Sequence, residues 1–451
     1  MTDSSSDPMD DAALSDDLAL AFADDLCAFI DASPSPFHAS ASAVDRLAAD
    51  GFVQVHETQP WPSQPGRYVT VRGGSFVAWV VPSAPLADDA SFRIAGAHTD
   101  SPNLRVKENA DLGAVGWQQV SVDPYGGALV ASWMDRDLGL SGRVFTRRGD
   151  LVSEHLVRVD EPIFRVPQLA IHLDRDLHTS GVRPDPQRHL MPVWATGPSP
   201  RHGEFASWVG DQLGETHGVD EIVGWDLMLH DVTPARRVGR DGTLVAAARL
   251  DNQCSVHAGL RALADIAGSA EDQERIVPVL AAFDHEEVGS SSDRGAASPF
   301  LATTLERIAL AAGRDRDGYL RMLAGSVCAS SDMAHAIHPN YPEKHEPTHP
   351  IFAGEGPVLK VNHNLRYATD AAGAAVFAAA CTQAGVNLQR YVHRADLPCG
   401  STIGPITATL LGVTTVDVGA PQLAMHSIRE LMSALDPIQL AAALAAFLAP
   451  A

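Results

Sequence analysis

Glu286 and Glu287 follow an apolar run, 276–283, in the string Asp284-His285-Glu286-Glu287-Val288-Gly289-Ser290. A short apolar run bounded by turn residues reads as a buried strand, and open α/β sheets bind their ligands beyond the strand carboxyl ends. Neighbouring side chains on an ending strand point different ways, so one carboxylate can hold a metal while the other faces a reacting water. An isolated acidic pair is by default a solvated turn. Its weight comes from the company it keeps.

Four other stretches carry metal-type ligands, each just past an expected strand or in the turn after it: His98-Thr99-Asp100, Leu250-Asp251-Asn252, Ser330-Ser331-Asp332-Met333-Ala334-His335 and Met425-His426-Ser427. Each alone has a plain explanation, as a helix cap, a turn residue or a hydrogen-bonded histidine. Together they are expected at one edge of one sheet. Two histidines and three carboxylates form a donor set for a pair of divalent, zinc-like ions rather than for an all-thiolate structural zinc. With one carboxylate shared, each ion keeps a position open for water or substrate. Asp100, two residues past His98, can accept the second imidazole N–H.

The elements that must position these residues come in three blocks. Helices are expected over 18–29, stopping at Ser33-Pro34-Ser35-Pro36, and over 39–49, followed by strands 68–71, 76–81 and 92–97. From 103 to 240 the texture turns β-rich, with strand candidates 117–122, 138–145, 151–159 and 168–173 and a long loop over 184–200. After Asp251 strand and helix alternate: helix 254–266, strand 276–283, helix 299–312, strand 358–361, helix 369–384, strand 414–418 and helix 437–448. The expected fold is a mixed-sheet α/β/α catalytic domain in two segments, 1–102 and 241–451, interrupted by a β-rich oligomerisation domain over 103–240. No internal repeat is visible. Residues 1–15, rich in Ser and Asp, are expected to be disordered.

Composition narrows the function. A formal net charge of -23 over 451 residues argues against nucleic acid or an anionic membrane as partner. An acidic substrate would need a local positive site inside a negative protein. The 5 cysteines are scattered, odd in number and without a C-x-x-C pair, which points to reduced thiols in the cytoplasm. The start of the chain lacks the basic and apolar regions of a signal peptide. The Ala-rich run 440–450 is too short to span a bilayer and reads as a packed terminal helix.

Ser33-Pro34-Ser35-Pro36-Phe37-His38, Ala97-His98-Thr99-Asp100-Ser101-Pro102, the Glu286-Glu287 string, Ser330-Ser331-Asp332-Met333-Ala334-His335-Ala336 and Gly400-Ser401-Thr402-Ile403-Gly404-Pro405 resemble, in consistent order from about residue 18 onward, bacterial aspartyl aminopeptidases. These are cytosolic zinc exopeptidases with two ions per subunit. The resemblance implies that His98 and Asp332 hold one zinc, Glu287 and His426 the other, and that Asp251 bridges them. It makes Glu286 the general base, with Asp100 supporting the site. That agrees with the chemistry: a carboxylate beside a zinc-acidified water can take its proton and return it to the leaving amine. Manganese or cobalt suits the same ligands.

The resemblance also implies short peptides beginning with Asp or Glu as substrates, the acidic side chain being read by Lys360 with Tyr367 and His335, beside Glu286 and Asp332. A lysine closing an apolar strand is a sound carboxylate partner. His172, in the β-rich insertion, would reach the active site of a neighbouring subunit and steady the oxyanion within dimers that assemble into a closed dodecamer. The string from Gly400 to Pro405 can present backbone N–H groups at a helix start. His345 and His349, among Pro342, Pro347 and Pro350, are expected to line a loop near the active site. Two alternatives stand beside this reading: the same chemistry with neutral aminopeptidase or deacylase specificity, and a catalytically silent metal-binding scaffold.

Overall fold

The computed structural model describes residues 16–214, 221–271 and 273–451, so the expectation of disorder over 1–15 falls outside the described residues. Its largest sheet has nine strands and is mixed. Four central strands, Ile276–Phe283, Ser91–His98, Val327–Ser331 and Thr414–Gly419, lie side by side and all run parallel. Parallel strands bury both faces, and the sequence is patterned for it. In Ile276–Phe283, Leu280 and Ala282 enter one core, whereas Val277, Val279, Ala281 and Phe283 enter the other. Helices Asp16–Ala32, Pro36–Ala49, Leu250–Ala270, Ala371–Ala384 and Asp436–Leu448 fill the first core. Phe300–Ala311, Arg316–Ala324 and Ile403–Leu411 cover the second. The result is an α/β/α sandwich.

Interrupting it is a six-stranded sheet built from strands between Asn103 and Asp231. It has its own core, in which Leu104, Val122, Leu140 and Phe164 meet Phe205 and Val209 of the helix Glu204–Gln212. A third, five-stranded sheet joins Arg236–Val238, Leu244–Ala247, Glu430–Ser433, Pro421–Leu423 and Ala334–His335. The proline pair at 34 and 36 acts as read: Ser35 caps the second helix, accepting the His38 N–H at 3.4 Å, with Pro36 in the first turn. All 5 cysteines are free thiols. Among the described residues no helix is long and apolar enough to cross a membrane.

Two expected elements differ. Residues 168–173 form no strand; Leu173 N–H closes a turn onto the Ala170 carbonyl at 2.8 Å. The alternation of Leu169, Ile171 and Leu173 imitates a half-buried strand, but all three side chains face outward. The loop expected over 184–200 contains the strand Val193–Thr196, which pairs with Trp117–Tyr125. Val327–Ser331 went unread because Val-Cys-Ala-Ser-Ser has little β-branched or aromatic content.

Candidate active site

The three parallel strands in register explain half of the site. His98 ends its strand opposite Phe283, so Glu286 and Glu287 emerge beside it. Val327–Ser331 lies on the other flank and delivers Asp332 at the same edge. Glu286 and Glu287 occupy a single 3-10 turn, Glu286–Val288, rather than an extended end. Asp251 and His426 depart from the one-sheet expectation, because both hang from the five-stranded sheet. Asp251 opens the helix Leu250–Ala270 after the strand Leu244–Ala247, and His426 follows Pro421–Leu423. Between those strands lies Glu430–Ser433. One oxygen of Glu430 accepts the Asp251 N–H at 2.9 Å, and the other accepts the His426 N–H at 2.8 Å.

The side chains converge. His98 Nε2 lies 3.2 Å from Asp251 Oδ1 and 3.4 Å from Asp332 Oδ1. His426 Nε2 lies 3.4 Å from Asp251 Oδ2 and 3.4 Å from Glu287 Oε2. The two oxygens of Asp251 therefore face two different histidines. Glu286 Oε2 stands 4.0 Å from His98 Nε2, at the margin of the first group. His98 Nδ1 lies 3.1 Å from the Asp100 carbonyl oxygen and 3.5 Å from its carboxylate. That carboxylate, fully buried, accepts the Glu286 and Glu287 N–H groups at 3.1 Å each.

The electrostatics ask for cations. Burial pushes Glu286 up to about 8, with Asp332, Asp100 and Asp251 acting in the same direction against His98. Burial and Asp251 hold Glu287 well above the ordinary carboxylate range. Burial opposes charge on His426, but its hydrogen bond to Asp251 and the charge of Glu287 lift it to about 10. His98 is likewise held high by Asp100, Asp251 and Asp332 against its burial. Glu287 Oε1 is buried without a hydrogen-bond partner. Nitrogen and carboxylate donors in sets of three within 4.8 Å, with surplus negative charge, fit divalent zinc.

The cluster lines one open pocket together with Met333, His335, Lys360, Tyr367, Ser401 and Ile406. Lys360 is only 1% exposed. Its Nζ donates to the carbonyls of Asp332 (3.0 Å) and Met333 (3.2 Å) and sits 5.2 Å over the Tyr367 ring. His335 is held neutral, its pKa pushed down to about 4 by burial and by Lys360. Gly400, Ser401 and Thr402 also line the pocket, where Thr402 caps the helix Ile403–Leu411.

Other expected residues lie elsewhere. His172 is exposed in the 170–174 turn and does not line this pocket. His345 accepts the His338 N–H at 3.1 Å and His349 pairs with Glu346 at 2.8 Å, so both are tied within their own loop. Three groups escaped the sequence reading: Glu430, Asp417 and the segment Tyr125-Gly126-Gly127. The last carried a signal, a Pro-Tyr-Gly-Gly turn at a strand end. Glu430 and Asp417 carried none, since a buried carboxylate in a strand looks like any other.

A sequence model of the family described as aminopeptidase I zinc metalloprotease (M18) matches residues 29–448. The chain belongs to the M18 aminopeptidase family. It is 54% identical over 427 residues to a probable M18 family aminopeptidase 2 of Streptomyces coelicolor, covering 95% of this chain and 97% of that one. A Mycobacterium leprae relative of the same description is 55% identical over 430 residues, with 95% and 98% coverage. Among solved structures, a chain of the Ape4 and Nbr1 complex superposes with a TM-score of 0.91 at 33% identity, covering 97% of this chain and 87% of that one. The prApe1 crystal structure gives 0.88 at 25% identity, with 96% of each chain covered.

Proposed function

We propose that this M18 aminopeptidase hydrolyses an N-terminal Asp or Glu from short peptides at a two-zinc centre. The observation that carries the reading is Asp251, whose Oδ1 faces His98 and whose Oδ2 faces His426. Asp251 is then the shared ligand, His98 and Asp332 complete one ion's set, and Glu287 and His426 complete the other's. Zinc supplies Lewis acidity there, lowering the pKa of water toward ~7 and polarising the peptide carbonyl; manganese or cobalt would do the same. Glu286 takes the proton from the attacking water and returns it to the leaving amine. Asp100 holds the turn that carries Glu286. Lys360, with Tyr367 and His335, receives the acidic side chain of the substrate.

The proposed division is a catalytic domain over 1–102 and 241–451 and an oligomerisation domain over 103–240. A related fold is known as the S. cerevisiae mApe1 dodecamer, at 24% identity and a TM-score of 0.82. On that likeness we assign this chain to dimers assembling into a dodecamer, in which the exposed His172 enters a neighbour's site and steadies the oxyanion. The place of action is the cytoplasm.

One observation favours the neutral-specificity alternative: Lys360 already faces Asp332, Nζ to Oδ2 at 3.5 Å. Matched Asp-, Glu-, Leu- and Lys-peptides decide between the two. Faster release of Asp and Glu supports the proposal, and faster release of Leu replaces it.

A further inference from the structure

Tyr125 ends the strand Trp117–Tyr125 of the six-stranded sheet and Gly126 and Gly127 follow it, yet each of the three lies against the catalytic cluster. The Tyr125 hydroxyl donates to Asp100 Oδ2 at 2.6 Å. That carboxylate is the group holding the N–H of Glu286 and of Glu287. Arg105 lies over the Tyr125 ring, 4.2 Å from its centroid, and fixes its plane. Gly126 has a φ of +68°, and a Cβ there would sit 2.9 Å from Glu287 Cβ and 3.3 Å from its Oε2. The Gly127 carbonyl lies 3.1 Å from His426 Nδ1, which leaves Nε2 to face Asp251 and Glu287. Leu129 then donates its N–H to the His426 carbonyl at 2.9 Å.

We propose that Tyr125-Gly126-Gly127 is a positioning strap, by which the six-stranded sheet sets the aim of Glu286 and the seating of Glu287 and His426 within its own subunit. The inference rests on the roles assigned to those three residues above. Without the Tyr125 hydroxyl the Asp100 carboxylate loses its shortest hydrogen bond and turns toward His98 and the two backbone N–H groups, which moves the Glu286-Glu287 turn. A catalytic group displaced by about 1 Å costs on the order of 100-fold in rate. The double glycine is what lets this backbone lie against the ligands.

The test compares Tyr125→Phe, Gly126→Ala and Glu286→Gln in the full, assembled chain by kcat and KM on a Glu-peptide, thermal unfolding, and zinc release to a chelator. We expect Tyr125→Phe to lower kcat about 10- to 100-fold with KM within about twofold and an unfolding temperature close to wild type. Gly126→Ala should release zinc at least about 10-fold faster. Wild-type kcat in Tyr125→Phe, or a loss matching only a lost folded fraction, would overturn the strap. Should Gly126→Ala not fold, Tyr125→Phe decides alone. An active Glu286→Gln sinks the base assignment and the strap with it, whereas an inactive Glu286→Gln beside a fully active Tyr125→Phe sinks only the strap.

Discussion

Lys360 and Asp417 are cross-strand partners in the antiparallel pair made by Val358–Val361 and Thr414–Gly419. Both are buried, so the pocket's cation and a second carboxylate besides Asp332 are set into the same sheet. Asp417 is also tied to Ser330 (2.8 Å), to the Ala368 N–H (2.6 Å) and to the Thr402 hydroxyl. One carboxylate thereby fastens the residue after Tyr367 and the cap of the helix beside the pocket, and it acts on Lys360 through charge.

Lys360→Met should remove the preference for acidic substrates while sparing hydrolysis. We expect kcat/KM on a Glu-peptide to fall about 100-fold, the ~2.7 kcal/mol of a charge-assisted contact, with a Leu-peptide nearly unaffected. Equal losses on both peptides would show that Lys360 serves the fold rather than the substrate.

Asp417→Asn keeps the shape but weakens an acceptor of several hydrogen bonds. It should lower stability by about 2–3 kcal/mol, measured by chemical unfolding, and raise KM for the Glu-peptide more than it lowers kcat. Unchanged stability together with unchanged KM would remove Asp417 from the pocket's framework.

Glu430→Gln replaces one carboxylate oxygen, which accepts from Asp251 or His426, with an N–H₂ that cannot accept. Zinc affinity, read by chelator competition, should weaken about 10- to 100-fold. An unaltered affinity would mean that Asp251 and His426 hold their places without it.

Burial depresses the pKa of His38, which is 8% exposed, to about 4. Its folded pKa lies below the unfolded value near 6.5, so its contribution to stability is present above that pH and is lost as pH falls through 4. The contribution is up to about 3 kcal/mol. Unfolding free energy measured from pH 7 to pH 4 should fall less steeply in His38→Gln than in wild type; parallel curves would count against the assignment.

Sequence periodicity exposed most of the sandwich, because helices such as Leu250–Ala270 and strands such as Ile276–Phe283 are long or strongly apolar. It failed at Val327–Ser331, where tertiary packing rather than propensity makes the strand, and at 168–173, where alternating apolar residues face outward. The five residues expected to hold metal do converge, since His, Asp and Glu just past strand ends are visible as types. What sequence could not show is which sheet carries each one: Asp251 and His426 reach the site from a separate sheet, organised by Glu430. Tyr125 showed only as part of a turn, and its role stayed hidden for a related reason. Its partner Asp100 is 25 residues away and in another sheet's loop.

The most direct measurement is release of the N-terminal residue from matched Asp-, Glu-, Leu- and Lys-peptides by the zinc-loaded wild type and by Glu286→Gln, with bound zinc quantified in both. Selective release of Asp and Glu by the wild type, lost on the order of 1000-fold or more in a Glu286→Gln protein that still holds zinc, is the expected result. Comparable activity in the two proteins, or no release from any of the four peptides by an intact zinc-loaded assembly, would contradict it.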